Sequence, residues 1–324
     1  MTDREESGLR GQIEICCTER DYTYPDHHWV MHTHDAFSPQ GQLLERRHRN
    51  PEGSHWSIIC RYDEQGRIVE KEEASKDLEA HQLFSYKYDQ LGRLDRVILR
   101  SAQKGERIFE SVRYAADGTK TRTSYPTPLD ATKRKTASLA AESMLHLSLD
   151  AVVIMTVLDA SDRPIRKVLY DGDDRVIRRI AFSYDERGLL LEEGELVGGS
   201  IRSDFRNVYR YDASGRQVEV DRRWGDLGGS RRTFAYNDRG DVVQEIIEQD
   251  TGYLEAGAES QTWTERFALQ YDEYENWIER TTETIVHTGD ARLSMIERRE
   301  LTYYRSSRPQ PPTLPQARTA PEWS

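Results

Sequence analysis

Histidines close to an acid are the residues of this sequence that most resemble a metal-binding set. Four of them, at positions 27, 28, 32 and 34, precede Asp35. On an extended strand His28, His32 and His34 share one face, and imidazole is a ligand that transition metals accept. No cysteine and no set of outer hydrogen-bonding partners accompanies them, and a polar strand face explains the same residues. We therefore expect no metal and no other cofactor, with these three histidines as the metal candidates.

Acidic residues suggest two further kinds of chemistry, and each has a structural alternative. The pairs Glu72-Glu73 and Glu192-Glu193 resemble glycosidase carboxylates, but adjacent residues on a strand point to opposite faces. Acids that recur in turns suggest calcium, yet an acid that opens a turn accepts backbone N–H groups. No nucleophile elbow, phosphate-binding loop, dinucleotide fingerprint or zinc-protease motif occurs. The sequence therefore predicts a protein that is not an enzyme.

Aromatic side chains are the remaining binding candidates. Trp224, Trp263 and Trp277, together with the tyrosines, suit the stacking of sugars or peptides, while core packing is the alternative for most of them. An exposed aromatic row on the folded surface would favour the binding role.

An aromatic-Asp-x-x-Gly step recurs nine to ten times and must position all of these residues. The ring suits the end of a strand, the Asp opens a turn by accepting backbone N–H groups, and Gly takes a left-handed backbone angle. This chemistry predicts a type I hairpin turn with a bulge at its closing residue. The clearest copies are defined by Tyr62, Asp63 and Gly66; Tyr88, Asp89 and Gly92; Tyr184, Asp185 and Gly188; Tyr211, Asp212 and Gly215; and Tyr236 with Gly240.

Degenerate copies follow the same plan. They begin at Phe37, Tyr114, Leu158 and Tyr170, the last two with Asp162 and Asp174 where glycine is expected. In the final copy Tyr271 and Asp272 are followed by Glu275, which a left-handed angle should destabilise by roughly 1 kcal/mol. We expect Asn276 to take that angle instead, in a loop one residue longer.

The spacing of the repeat predicts the fold class. Most neighbouring rings lie 25 to 27 residues apart, which is room for two strands and two turns. The sequence thus predicts an all-β, up-and-down antiparallel meander of hairpins in one long, open, twisted or curled sheet. Glycines mark turns at the other end of the strands: Lys104-Gly105, Gly194 with Gly198-Gly199, and Gly225 with Gly228-Gly229.

Composition limits the partners and the compartment. The net charge is −11, which disfavours nucleic acid, and no apolar run is long enough for membrane insertion. Only 36% of residues are hydrophobic and the mean hydropathy is −0.83, yet 17 Tyr and 6 Trp argue against disorder. The N-terminus has no apolar signal segment, and the three cysteines are expected to be free thiols. A cytoplasmic location is the default expectation.

The chain divides into one predicted domain and a tail. Residues 1–304 are expected to form a single β-sheet domain that is interrupted at 126–150, where Pro126 and Pro128 break the pattern. A short helix or a loop is expected at 133–149. Residues 305–324 contain five of the eleven prolines and should be disordered.

The Tyr-Asp-x-x-Gly-Arg step resembles the YD repeat of the Rhs and teneurin families, from about Phe37 to Trp277. The resemblance implies a β-strip that coils into a shell, which in full-length bacterial members encloses a C-terminal toxin domain. Those families are often secreted or found at the cell surface, and carbohydrate binding has been attached to such repeats. This chain is shorter than a complete shell and lacks the self-cleavage and toxin segments, so the resemblance implies a partial shell without toxic activity.

These observations predict a non-catalytic YD-repeat β-scaffold with a binding or structural role, as part or remnant of an Rhs-type system. The alternative is a carbohydrate- or cell-surface-binding module. The partner is a protein or a carbohydrate in either case, and the charged strands should protect the two edges of the open sheet from pairing.

Overall fold

The computed structural model describes residues 2–23, 28–75, 80–102, 105–125, 153–197, 200–223, 228–249, 261–286 and 291–304. The expected helix or loop at 133–149 and the tail at 305–324 lie outside these residues. No helix in the described ranges is long and apolar enough to cross a membrane. The elements are α1 (Asp3–Glu6), β1 (Ile13–Thr23), β2 (His28–Phe37), β3 (Leu43–Arg49), β4 (His55–Tyr62), β5 (Ile68–Ser75), β6 (Ala80–Tyr88), β7 (Leu94–Ser101), β8 (Gly105–Tyr114), β9 (Lys120–Ser124), β10 (Val153–Leu158), β11 (Pro164–Tyr170), β12 (Val176–Tyr184), β13 (Leu190–Val197), β14 (Ser200–Tyr211), β15 (Gln217–Arg223), β16 (Gly229–Tyr236), β17 (Val242–Gln249), β18 (Gln261–Tyr271), β19 (Trp277–Val286) and β20 (Ala291–Tyr303).

The strands form one closed antiparallel barrel. Each strand pairs with its neighbours in sequence, β9 with β10 included, and β1 pairs with β20. This last pairing, which we name the seam, runs from Ile13 opposite Tyr303 to Tyr22 opposite Met295. The all-β prediction is confirmed. The predicted open sheet is wrong, because the two strands expected at its edges pair with each other.

Closure has a physical reason that the repeat itself does not contain. An open sheet leaves a row of unpaired N–H and C=O groups along each edge, and pairing β1 with β20 satisfies both rows at once. Whether the two edges meet depends on small contributions of tilt and stagger summed over all strands. Turn residues determine the direction of each strand. Their types do not show how much tilt and stagger add up to around the whole sheet.

Nine turns of the repeat type lie at one end of the barrel, which we name the turn rim. In each, the first residue donates its N–H to the carbonyl four residues on, and the fourth residue donates back to the carbonyl of the first. The first residues are Ser38, Asp63, Asp89, Ala115, Asp159, Asp185, Asp212, Asn237 and Asp272.

Three of the turns of this type close on a residue other than glycine. Asp162, Asp174 and Glu275 have φ angles of 63°, 59° and 64°, where the other copies have glycine. The expectation that Asn276 would take the left-handed angle in a longer loop is wrong. The loop keeps its length, and Asn276 is held elsewhere by bonds described below.

Two of the described turns at the opposite end have the same backbone hydrogen bonds. They begin at Asn50 and Asp171, so the Tyr170 copy lies away from the turn rim. Gly194, expected in a turn at this end, lies within β13 instead. Gly198-Gly199 and Gly225 are outside the described residues.

Buried side chains lie mostly on one face of the sheet. Among the described strands, the pairs in substantial contact are all neighbours in the sheet, so burial depends on crowding between adjacent side chains. Side chains converge on the concave side of a closed sheet and diverge on the convex side, so we assign the more buried set to the inner wall. This set includes Cys16, Asp35, Cys60, Phe84, Leu99, Val112, Leu169, Ile180, Val220, Ile247, Thr282 and Glu297.

Candidate binding site on the inner wall

The carboxylates of the repeat are occupied within the turn rim. Asp63 Oδ1 accepts the N–H groups of Gln65 at 3.0 Å and Arg67 at 2.9 Å, and Oδ2 accepts Arg67 Nε at 2.8 Å. The pKa of Asp63 is lowered, and the largest cause is its hydrogen bond with the Arg67 side chain. The hydrogen bond from the Arg67 backbone N–H is the next cause. Asp89 and Asp159 make the same bonds, and the backbone N–H of the following arginine is the largest cause of their lowered pKa.

Each turn also contacts the next one around the rim. The Arg67 guanidinium lies 4.5 Å from the Tyr88 ring centre, and the Tyr88 hydroxyl donates to the Ile68 carbonyl at 2.7 Å. The same stacking joins Arg93 to Tyr114, Arg163 to Tyr184, Arg216 to Tyr236 and Arg239 to Tyr271. The repeat residues therefore hold neighbouring turns together, and their acids are engaged in doing so.

The N-terminal segment bridges the turn rim across the seam. On one side Asp3 Oδ2 accepts the Leu43 N–H at 2.7 Å. On the other side, the side chain of Asn276 accepts the Arg10 N–H at 2.6 Å and donates to the Arg10 carbonyl at 3.0 Å. Asn276 is 1% exposed. These bonds complete the rim where no repeat turn joins β20 to β1.

Two threonines form the floor of a cavity on the inner wall beside the seam. Thr18 lies between Arg299 of β20 and Thr33 of β2, and Thr33 lies opposite His48 of β3. Because both threonines are short, the longer neighbours leave a seam cavity of about 430 Å³. Its lining residues are Glu6, Ser7, Leu9, Cys16, Thr18, Arg20, Thr33, Asp35, Arg46, His48, Trp56 and Arg299.

One buried carboxylate at the seam is shared by two arginines. Glu297 is 1% exposed, and its Oε1 accepts Arg20 Nε at 3.1 Å. Its Oε2 accepts Arg280 Nη2. Both oxygens of the carboxylate thus accept a hydrogen bond from a guanidinium group.

Arg299 stands beside this triad, stacked on an aromatic ring. Its guanidinium lies 3.4 Å from the Trp277 ring centre. Its Nε and Nη1 are buried, and they have no hydrogen-bond partner in the described part of the chain. Burial is the largest cause of a lowered pKa at Arg299, and the positive charges of Arg280 and Arg20 add to it. The ring covers the face of the guanidinium, but the in-plane donors at Nε and Nη1 are left unsatisfied among the described residues.

The other side of the seam cavity carries a paired arginine and a histidine. Arg46 donates to Asp35 through Nε and Nη2, both at 2.7 Å, in the fork geometry of a strong pair. The His48 Nδ1 lies 3.2 Å from Thr33 Oγ1. Burial, and then Arg20, lower the pKa of His48. The cavity wall is therefore rich in N–H donors, in a protein whose net charge is negative.

The sequence-predicted metal candidates do not converge. His28 Nε2 bonds to Asp21 at 2.6 Å, and the exposed His32 lies 3.9 Å from Glu19. His32 and His34 line an open groove on the outer wall rather than the seam cavity. Among the described residues, no group of three or more metal-ligand side chains occurs in reach of one ion.

Paired acids and tryptophans are separated in the same way. Glu72 bonds to His81 at 2.8 Å on the outer wall, while Glu73 pairs with Lys71 on the inner wall. Glu192 pairs with Arg206, and Glu193 accepts Asn207 and Tyr209. Trp277 is buried beneath Arg299, and Trp224 lies outside the described residues. The three cysteines are free.

Sequence reasoning missed one carboxylate with unusual surroundings. Glu265 lies opposite Glu245 on neighbouring strands of the inner wall. Burial is the largest cause that raises the pKa of Glu265, and the Glu245 charge is the next. No local pattern could identify the pair, since β17 and β18 are joined by a long connection. Glu265 is not among the residues that line the seam cavity.

Comparisons with known proteins leave the family unassigned. No family model and no curated protein matches the chain. Two solved structures are similar: a porin-like protein from Bacteroides uniformis, with a TM-score of 0.37 and 8% identity over 90% of this chain and 96% of that one; and the Tc holotoxin pore of Photorhabdus luminescens, with a TM-score of 0.21 and 12% identity over 86% of this chain and 18% of that one. Both TM-scores are below 0.5, so neither likeness supports an inference about this chain.

Proposed function

We propose that this protein is a non-enzymatic β-scaffold that binds a ligand on its inner wall, at the seam cavity. The observation that carries the proposal is a cavity of about 430 Å³ lined by arginines and a histidine, at the place where the barrel closes. Interlocked repeat turns keep this wall in place from one end, and a rigid wall reduces the entropy cost of binding.

The distribution of acids supports binding rather than catalysis. A general acid at neutral pH needs a raised pKa and a place beside the substrate. The repeat carboxylates of Asp63 and Asp89 have lowered pKa values and are bonded within turns. Glu265 has the raised pKa, but it is not a residue of the seam cavity.

The outer wall supports a scaffold that is surrounded by water. Arg61 pairs with Glu70 and Glu72 on this wall, and Arg206 pairs with Glu192 at 2.5 Å. An Arg or Lys that faces the middle of a lipid bilayer costs about 2–4 kcal/mol. The partner we propose is therefore a soluble ligand that reaches the inner wall.

A carbohydrate ligand is the second candidate, and Trp56 is the observation that favours it. This indole is 37% exposed and lines the seam cavity, where it offers a stacking surface. It lacks a second exposed ring beside it in the described part of the cavity wall, so stacking alone gives a small surface.

The test is a thermal-shift screen of charged and neutral metabolites and oligosaccharides. Wild-type protein is compared with Thr33→Trp, which fills the cavity floor without changing the charge. We expect ligands that raise the melting temperature of the wild type and not of the variant. Ligands that stabilise both proteins equally would place binding elsewhere. Turnover of any substrate that is lost with Glu265→Gln would replace the proposal with an enzymatic one.

A further inference from the structure

We infer that the seam cavity is a site for an oxyanion, a carboxylate or phosphate group on a small molecule, with Arg299 as its principal anchor. This inference rests on the proposed binding function and names the ligand chemistry.

Charge balance favours an anion at this point. Three guanidinium groups, those of Arg20, Arg280 and Arg299, lie around the carboxylate of Glu297. Arg280 also interacts with the Glu265 carboxylate, so three positive charges meet two negative ones. Asp35 is already matched by Arg46. A buried charge without a partner is costly, so this wall is completed by a group of negative charge.

Glu6 does not supply that negative charge. It is exposed and lines the cavity, but it forms no ion pair with any residue that the structure describes. A surface carboxylate that stays in water gives little stabilisation to a half-buried arginine. A ligand oxyanion inside the cavity, in contrast, loses its hydrating water and accepts hydrogen bonds from the fixed N–H groups of the wall.

Donor geometry selects an oxyanion over other anions. A guanidinium presents its N–H groups in a planar fork that matches two oxygens of a carboxylate or phosphate. Trp277 fixes the plane of the Arg299 guanidinium by stacking on its face. The Thr18 hydroxyl lies in the lateral row next to Arg299 and 3.6 Å from Cys16 Sγ, and it adds a neutral polar group to the floor.

The shape of the floor gives the ligand its place. Thr18 and Thr33 are short side chains between Arg299 on one side and His48 on the other. Three strand spacings, about 14 Å, separate β20 from β3. A bound oxyanion at Arg299 therefore leaves room for the rest of the ligand to extend toward His48 and Arg46.

The experiment is calorimetric titration of the full chain with sodium phosphate, sodium succinate and glucose at constant ionic strength. We expect saturable binding of phosphate or succinate, and the comparison of the two identifies the oxyanion source. Arg299→Gln should weaken that binding by roughly tenfold or more, as expected when a hydrogen-bonded charge is removed.

Arg298→Gln is the matched control. It removes the same charge one residue away, on the opposite face, where Arg298 pairs with exposed Glu279 and Glu19. Its affinity for the oxyanion should equal that of the wild type. Thr18→Leu keeps every charge and fills the floor, and it should also abolish binding, so the test does not depend on the folding of Arg299→Gln.

The outcomes separate this inference from the proposed function. Equal oxyanion affinity in Arg299→Gln and the wild type would overturn the inference. Binding of glucose but of neither anion would also overturn it, and it would leave inner-wall binding standing. If none of the three probes binds, the oxyanion inference is wrong, and the thermal-shift screen alone decides the proposed function.

Discussion

At the scale of single residues, the tyrosine hydroxyl is the group that joins one repeat turn to the previous one. In six copies it donates to the carbonyl of the first strand residue after the preceding turn, at distances such as 2.9 Å from Tyr211 to Leu190 and 2.8 Å from Tyr184 to Pro164. The ring fills space and the hydroxyl sets the distance between turns. Phenylalanine would keep the first property and lose the second.

We predict that Tyr211→Phe lowers the free energy of unfolding by about 1 kcal/mol, the usual net value of one hydrogen bond. Tyr170→Phe is the control, because Tyr170 lies at the opposite end and its hydroxyl has no hydrogen bond within the described chain. Urea unfolding followed by tryptophan fluorescence measures both. Equal losses in the two variants would show that the rim hydroxyls are not specific contacts.

Glu275 carries backbone strain that glycine would relieve. Its φ angle is 64°, and its side chain makes surface contacts with Arg10 at 3.4 Å and Arg239 at 3.9 Å. We predict that Glu275→Gly raises the free energy of unfolding by about 0.5–1 kcal/mol, since strain relief exceeds the loss of surface ion pairs. Glu275→Ala loses the same ion pairs and keeps the strain, so it should not stabilise. A gain with alanine equal to that with glycine would contradict the strain account.

Local chemistry explains what sequence reasoning could and could not find at this scale. Asp63 and Gly66 act on atoms within four residues, so their type and spacing predict the turn directly. Asn276 escapes that reasoning because its partners, Arg10 and Tyr303, come from distant parts of the chain. Arg299 could not be identified from the sequence either. Its neighbours come from β19, β1 and β2, and no spacing in the sequence predicts that these residues lie together.

At the scale of elements, the seam depends on the N-terminal segment. The Asn276 side-chain amide accepts the N–H and donates to the carbonyl of Arg10, as the backbone of a neighbouring strand would. It also donates to the Tyr303 hydroxyl at 2.9 Å. Because Asn276 is buried, removing its amide takes away the side-chain partner of the Arg10 N–H and of the Arg10 carbonyl, while the Tyr303 hydroxyl keeps its bond to Asp272.

We predict that Asn276→Ala destabilises the protein by about 2–3 kcal/mol, from lost hydrogen bonds and the unsatisfied groups that remain. Hydrogen exchange should accelerate first in β1 and β20. Asn50→Ala is the control: Asn50 Oδ1 accepts the Ser54 N–H within a turn at the opposite end of the barrel, away from the N-terminal segment. Faster exchange in β1 with both variants would mean that Asn276 has no special role at the seam.

At the scale of the whole molecule, the turn rim should make the barrel sensitive to acid. The carboxyls with lowered pKa values include those of Asp63, Asp89, Asp159, Asp185 and Asp212. An unfolded Asp has a pKa of about 3.9. A folded pKa below that value gives stability that is fully present above the unfolded pKa and is lost as pH falls through the folded pKa.

We predict a steep fall of melting temperature below about pH 4, since each rim carboxylate must then take up a proton. Asp212→Asn should make the fall shallower, because asparagine keeps the Oδ1 acceptor, as Asn237 does in the wild type, and does not titrate. Asp173→Asn, at an exposed position that caps no described backbone group, should follow the wild-type curve. A wild-type curve that is flat from pH 5 to pH 2 would contradict the rim account.

Closure of the barrel is the claim on which the seam cavity and its ligand depend. Cys17 of β1 lies opposite Glu300 of β20 across the seam, at a separation that suits a disulfide between paired strands. Arg298 is two residues away from that register, opposite Glu19. The decisive measurement is mass-spectrometric mapping of disulfides in monomeric protein after mild oxidation of Glu300→Cys, with Arg298→Cys as the register control. A closed barrel predicts a bond between positions 17 and 300 within one chain and none between 17 and 298. Free thiols at 17 and 300, or a bond between two chains, would show that the sheet is open.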